Sequence, residues 1–275
     1  MGYSISNLRS GQQLLHVENQ FSNATISIYG GQILSWIPKK SNEVLFLSEK
    51  ALFDSKSAIR GGVPICWPWF GNKEGCEAHG FARNQLWSLT NILEDGNFTD
   101  VQLTLNHSDH KYEGVFLTLK FRISESLEIS LITLNNSSET LIFTQALHTY
   151  LYVSEITNVE IEGLSNVEFY NKLTDTFNVC STEKLKIEGE IDQIFRTRGK
   201  QILIDNYRKI LIETKGSTDT VIWNPWINKS KSMKDLHEDD YLRFLCIEAA
   251  NILEPIKLPC YEKFELSQKI TIDQI

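Results

Sequence analysis

No stretch of this 275-residue sequence reaches the roughly 20 apolar residues that a membrane-spanning helix needs, and Met1–Ser6 has neither the basic nor the apolar part of a secretory signal. A cytoplasmic protein without a membrane partner is expected. The five cysteines are an odd number and contain no C-x-x-C pair, so they support neither a disulfide framework nor a zinc ribbon. Also missing are G-x-G-x-x-G and G-x-x-x-x-G-K-[ST], which removes the expectation of a dinucleotide or a nucleoside triphosphate. A formal charge of −8, from 27 basic against 35 acidic residues, leaves no general basic face for nucleic acid. An anionic small ligand stays open, because a local pair of arginines can hold a phosphate inside an acidic protein. Six prolines and fifteen glycines are scattered with no linker or repeat, so residues 1–275 are expected to form one domain, and a monomer.

Long amphipathic helices are lacking as well; only Lys231–Leu236 suggests a short helical turn. What is present is period two. Ala24–Tyr29, Val101–Leu105, Val115–Ile123 and Leu127–Leu134 alternate apolar and polar residues and are rich in β-branched and aromatic side chains. Glu94–Asn97, Asn135–Ser138 and Thr214–Ser217 punctuate them as turns. Gln201–Asp205, Ile210–Glu213 and Phe264–Ile272 continue the pattern. The fold class is therefore all-β, and a large antiparallel β-sandwich is the architecture of suitable size.

Two strand-like segments carry a titratable group in apolar company. Along Leu141–Val153, period two puts His148 on a face with Ile142, Thr144, Ala146, Tyr150 and Tyr152; along Leu242–Ala250, Glu248 shares a face with Phe244, Cys246 and Ala250. Burial raises a glutamate pKa and lowers a histidine pKa, moving both towards proton exchange near neutrality. A hydrogen-bonded core histidine, and a glutamate paired with Arg243 or another cation, are the plainer alternatives.

Ile59–Gly71 and His79–Arg83 crowd glycine, proline and tryptophan into an irregular connection. Arg60 beside Gly61-Gly62 suits an anion, since bare backbone N–H groups and a guanidinium fork both approach phosphate oxygens. Trp67, Trp69, Trp223 and Trp226 offer flat faces for a sugar ring, with buried packing the alternative for at least half of them. His79 either donates to a ligand hydroxyl or fixes its loop. His107 and His110 lie in a polar turn without a second ligand pair, so no metal is expected there. Lys229 and Lys231 read as a solvated turn, with phosphate contact as the other option.

Taken in order, Arg60-Gly-Gly-Val-Pro64, Trp67-Pro-Trp-Phe-Gly71, His79-Gly-Phe-Ala-Arg-Asn84, Leu147-His-Thr-Tyr150, Trp223-Asn-Pro-Trp226 and Cys246-Ile-Glu-Ala-Ala-Asn251 resemble the signature stretches of the glucose-6-phosphate 1-epimerases, or D-hexose-6-phosphate mutarotases. The resemblance implies a galactose mutarotase-like supersandwich, no metal or other cofactor, and interconversion of the α and β anomers of a hexose 6-phosphate. It further implies His148 as general acid on the ring oxygen and Glu248 as general base on the C1 hydroxyl. Arg60 and Arg83 would hold the phosphate, and Asp192 would accept from sugar hydroxyls, with His79 and Trp223 also lining the substrate. Ala78, where many relatives have glutamine, and Asn171 in Tyr170-Asn-Lys172 depart from the pattern. An aldose 1-epimerase acting on unphosphorylated sugar, or a phosphosugar-binding or regulatory protein without turnover, are the competing functions.

Overall fold

Alternation along Val115–Ile123 puts Val115, Leu117, Leu119, Phe121 and Ile123 on one buried face and Phe116, Lys120 and Arg122 on an exposed one. The same period-two logic organises most of the chain. The computed structural model describes residues 2–105 and 109–274, and its strands pair antiparallel in three sheets. Gly2–Asn7, Gln13–Glu18, Ser22–Ser27 and Gln32–Pro38 form a four-stranded meander. A nine-stranded sheet runs in the order Leu185–Lys186, Glu160–Glu162, Lys200–Ile204, Arg208–Lys215, Lys263–Gln274, Leu127–Asn135, Val115–Ile123, Thr99–Leu105, Ser88–Glu94. The third sheet has eight strands, in the order Thr176–Val179, Glu168–Asn171, Ile191–Phe195, Asp219–Asn224, Phe244–Leu258, Leu141–Leu147, Ile65–Cys66, with Tyr150–Tyr152 also pairing to Phe244–Leu258.

The sandwich forms where the eight- and nine-stranded sheets face each other. Ile222, Leu245, Ile247, Ala249 and Leu147 of the first meet Leu103, Leu119, Ile129, Leu131, Ile212 and Leu266 of the second in one buried cluster. The residues between them in sequence point the other way. Ala146, Tyr150, Val221, Trp223, Phe244, Cys246 and Ala250 build a second cluster with Phe46 and Cys66 on the outer side of the eight-stranded sheet. Glu248 belongs to that outer side by alternation, so a loop layer rather than a second sheet covers it.

The segment expected as one strand, 141–153, is two: Leu141–Leu147 and Tyr150–Tyr152. At the break, His148 N–H donates to the Pro64 carbonyl (3.0 Å) and Tyr150 N–H to the Gly62 carbonyl (2.9 Å), so the irregular 59–71 connection takes over the pairing. A register shift between Phe143 and Gln145 separates Ile142, 59 % exposed, from the buried face that Ala146, His148 and Tyr150 share. The helix also begins earlier than expected. It spans Trp226–Ser232, because Pro225 supplies a fixed φ of −72° at the cap and the Asn224 side chain accepts from Trp226 N–H at 2.9 Å. His107 of the Asn106–His110 turn lies outside the described residues; His110 opens a short 3₁₀ turn, His110–Tyr112.

Gly62 has a φ of +60°, and a Cβ there would lie 2.2 Å from the Ile33 carbonyl oxygen. Gly96, at a φ of +46°, has nothing within 4 Å of such an atom. Gly62→Ala should therefore cost more than about 2 kcal/mol, and Gly96→Ala only about 1 kcal/mol of backbone strain. Urea unfolding midpoints compare the two, and equal costs would mean that the close approach at Gly62 relaxes freely.

Candidate active site

Strand register brings the candidate residues together. Leu147 faces Ala249 and Tyr150 faces Cys246, which sets His148 across from Glu248; Trp223 faces Cys246, and Asp192 faces Trp223. His148 Nε2 lies 3.4 Å from Glu248 Oε1. That contact lacks hydrogen-bond alignment, for both carboxyl oxygens of Glu248 and Nδ1 of His148 are buried without a hydrogen-bond partner among the described residues. Such groups are costly to bury unsatisfied. Neither plainer alternative holds: the histidine ring is stacked on Tyr150 (4.9 Å between centroids) rather than hydrogen-bonded at Nδ1, and Arg243 donates to the Ser154 carbonyl instead of pairing with Glu248.

Burial raises the Glu248 pKa well above the ordinary carboxyl range; the negative charge of Asp192 adds to this, while Lys172 and Arg83 oppose it. Burial also pushes His148 well below the ordinary imidazole value, helped by His79, Arg83 and Arg60. His79 is itself pushed down to about 3, first by burial and then by Arg83, Lys172 and Arg60. The pair thus sits where its neutral forms are favoured and where each group is available to exchange a proton with a bound hydroxyl.

Arg60 is committed. Its Nε and one terminal nitrogen each lie 3.0 Å from Asp235 Oδ2, and its other terminal nitrogen donates to the Tyr150 hydroxyl at 2.8 Å. Arg83 is less so: one terminal nitrogen donates to the Ala78 carbonyl at 2.7 Å, while its Nε is buried without a partner among the described residues. Of the two arginines expected on a phosphate, Arg83 has more donor capacity left. His79 has a φ of +64°; its N–H donates to the Gly71 carbonyl (2.8 Å) and its ring accepts weakly from Gly71 N–H (3.4 Å). It fixes the loop and also packs 5.6 Å from His148, so both of its expected roles are compatible with this position.

Asp192 is buried and takes the Lys172 ammonium at 3.0 Å, and Lys172 also lies over the Phe70 ring. Trp223 stands edge-on to His148 at 5.8 Å. Trp67 is wholly buried packing, and Trp226 packs on Tyr241. Trp69 donates to the Glu77 carbonyl under Lys73. Lys229 pairs with Glu190 and Lys231 approaches Glu238, and both lie on the Trp226–Ser232 helix rather than in the expected turn. Sequence reasoning missed Asp235, Tyr150 as an arginine partner, and Lys172 as a charge in the site. All three lie in segments that the sequence singles out, Asp235 in Lys231–Leu236, Tyr150 in Leu147–Tyr150 and Lys172 in Tyr170–Lys172, but nothing in those segments marks the pairing.

His148, Cys246 and Glu248 place one nitrogen, one sulfur and one carboxylate oxygen within 4.8 Å of one another. Burial pushes the Cys246 thiol well up.

The architecture and the acid/base face define a galactose mutarotase-like β-sandwich: a galactose mutarotase-like protein from Clostridium acetobutylicum superposes with a TM-score of 0.75 at 16% identity, over 99% of this chain and 98% of its own. The chain belongs to the Aldose 1-epimerase family, which it matches over residues 13–271, and so to isomerases whose substrate is a small sugar. A "Putative glucose-6-phosphate 1-epimerase" of Escherichia coli K12 is 34% identical over 269 residues, covering 94% of this chain and 90% of the relative. The crystal structure of a "putative mutarotase" from Salmonella typhimurium has a TM-score of 0.93 at 30% identity, covering 100% of this chain and 94% of that one.

A raised carboxyl pKa makes the folded protein bind more protons than the unfolded chain at pH values above the ordinary 4.5, so stability from the protonated Glu248 is lost as pH rises through its folded pKa. Glu248→Gln keeps the shape without that loss. Its thermal stability should gain on the wild type as pH is raised above about 5, with a slope approaching about 1 kcal/mol per pH unit. Parallel pH profiles for the two proteins would show that Glu248 is charged in the folded state.

Proposed function

We propose that the protein interconverts the α and β anomers of a hexose 6-phosphate, glucose 6-phosphate foremost, with no cofactor. The single observation that carries the acid/base part is the buried His148–Glu248 pair with unsatisfied polar atoms at 3.4 Å. The two oxygens that exchange protons in the reaction, the ring oxygen and the C1 hydroxyl, are bonded to one carbon, so a base and an acid on the same patch of the sheet can serve both. In the proposed step Glu248 takes the C1 hydroxyl proton, the C1=O bond forms, the C1–ring oxygen bond breaks, and His148 gives its proton to the ring oxygen. Rotation about C1–C2 presents the other carbonyl face. Reclosure then runs the two proton transfers in reverse and restores both groups.

Asp192, Trp223 and His79 would orient the sugar, and Arg83, with Arg60 behind it, would hold the phosphate. Support comes from the unpartnered Arg83 Nε and from the names of the relatives. Residues 1–275 are read as one domain, in line with a core cluster that runs from Leu15 to Ile270, and free thiols accord with a cytoplasmic location. A monomer binding neither nucleic acid nor membrane remains the reading; among the described residues no helix is long and apolar enough to cross a membrane. One observation favours an unphosphorylated sugar as the substrate instead: Arg60 already has Asp235 as its counter-ion.

Saturation-transfer NMR on glucose 6-phosphate and on free glucose tests the proposal. Glu248→Gln and His148→Asn should each slow anomer exchange by on the order of 10²- to 10⁴-fold, and the double variant should be little worse, since the two act as a unit. Near-wild-type exchange in either single variant would sink the assignment. Arg83→Ala should weaken use of the phosphorylated sugar by about tenfold or more, mainly in KM, and leave free glucose unchanged. Because Arg60 is shared with Asp235, Arg60→Ala should discriminate less between the two sugars. Equal losses for both sugars in Arg83→Ala would favour the aldose epimerase.

A further inference from the structure

Away from the catalytic pair, a cavity of about 720 Å³ opens where the 39–42 loop, the end of the Tyr150–Tyr152 strand and the Asp205–Arg208 turn meet. None of the residues placed around His148 and Glu248 lines it. Lys40, Arg208, Arg243 and Lys39, the last paired with Glu18 at 3.2 Å, face it, with Asp205 the one carboxylate in the lining. In a chain of net charge −8, such a concentration of one sign calls for a physical account.

The most demanding member is Arg208, which is only 7 % exposed. Burial works against its charge, with Asp205 and Glu43 as the opposing attractions. Its terminal nitrogens donate to the Asn42 carbonyl (3.3 Å) and the Tyr152 carbonyl (2.9 Å). Arg243 likewise donates to a backbone carbonyl, that of Ser154. Neither arginine takes part in any ion pair among the described residues. Asp205 does not neutralise them by direct contact, because its oxygens accept from Ser154 N–H, the Ser154 hydroxyl and Asn206 N–H. Carbonyls orient the two guanidinium groups without cancelling their charge.

We propose that this cavity is a second anion site, which binds the phosphate of a small phosphate monoester. A dianion offsets the buried Arg208 and the exposed Arg243 together, and planar guanidinium groups suit phosphate oxygens. The remainder of the lining, with the hydroxyls of Tyr152, Tyr207 and Ser41 and the amide of Asn42, suits a polyhydroxy body attached to that phosphate. The site is independent of the catalytic assignment, since it shares no side chain with it.

Titration of the full ¹⁵N-labelled chain with inorganic phosphate, followed by amide NMR, tests this. Saturable shifts are expected at Ser41, Asn42, Ser154 and Tyr207. Arg243→Gln, at an exposed position, should weaken that binding by about tenfold while glucose 6-phosphate exchange stays within about twofold of wild type. Arg208→Gln should abolish the shifts, and circular dichroism reports whether that variant folds; the Arg243 variant decides the question if it does not. Shifts confined to amides near Arg60 and Arg83, non-saturating shifts typical of screening, or binding unchanged in Arg243→Gln would each overturn the proposal. Absence of anomer exchange in the wild type would overturn the catalytic reading and leave this one standing.

Discussion

A carboxyl group buried in the floor of a β-sheet, with neither oxygen hydrogen-bonded among the described residues, is the constraint on which the rest of this site depends. Glu248 occupies the outer face of the Phe244–Leu258 strand, whose inner-face neighbours Ile247 and Ala249 are locked into the sandwich core. The glutamate cannot turn away without a one-residue slip that would drive it into that core and expose Ile247. Long-range pairing on both sides, to Asp219–Asn224 and to Leu141–Leu147, prevents the slip. The sandwich thus enforces an electrostatically unfavourable position, and the energy comes from the hydrophobic interface of the two large sheets.

Charges around the pair are arranged in partnerships that differ in strength. Asp235 and Tyr150 hold Arg60 rigidly, and Asp192 holds Lys172, so these cations are compensated where they stand. Among the described residues, Arg83 donates to the Ala78 carbonyl and has no ion pair. A ligand anion therefore gains most at Arg83, while Arg60 serves to fix Tyr150, the ring on which His148 stacks. The irregular 59–71 connection couples these roles, because Gly62 and Pro64 carbonyls anchor Tyr150 and His148 through their backbone N–H groups. Gly62 cannot be larger, as its Cα approaches the Ile33 carbonyl too closely for a side chain.

The parts legible in the sequence are those governed by local periodicity. Val115–Ile123 is a strand with the expected bounds, and Leu127–Asn135 extends one residue past the expected end. Alternation assigns His148 and Glu248 to apolar faces, and their neighbours Ala146, Tyr150, Cys246 and Ala250 on those faces are buried, whereas Ile142 and Tyr152 are exposed. What local pattern does not encode is which distant segment comes alongside. Asp235 reaches Arg60 across 175 positions, and no spacing rule pairs them. The break at His148–Thr149 was equally hidden, since it arises from carbonyls of the 62–64 segment replacing a strand partner. The helix starts five residues before the expected Lys231–Leu236 turn, at a signal the sequence carries in Asn224-Pro225.

Burial and the proposed proton transfers are consistent once protons are counted over the pair. Neutral imidazole with a carboxylic acid, and imidazolium with a carboxylate, hold the same number of protons, so passing from one to the other requires no exchange with solvent. In the free protein, burial favours the neutral combination at both residues. Arg60 and Arg83 add to this at His148 by disfavouring a further positive charge. A phosphate dianion held near Arg83 offsets part of that field and so makes the imidazolium less costly. Lys172 and Arg83 already favour the carboxylate form of Glu248. A phosphate near Arg83 therefore acts on the two groups in opposite senses: it eases the imidazolium of His148 and weakens the field that favours the Glu248 carboxylate. The two effects oppose each other over the pair, so selectivity for phosphate would fall on binding, where Arg83 meets the anion directly.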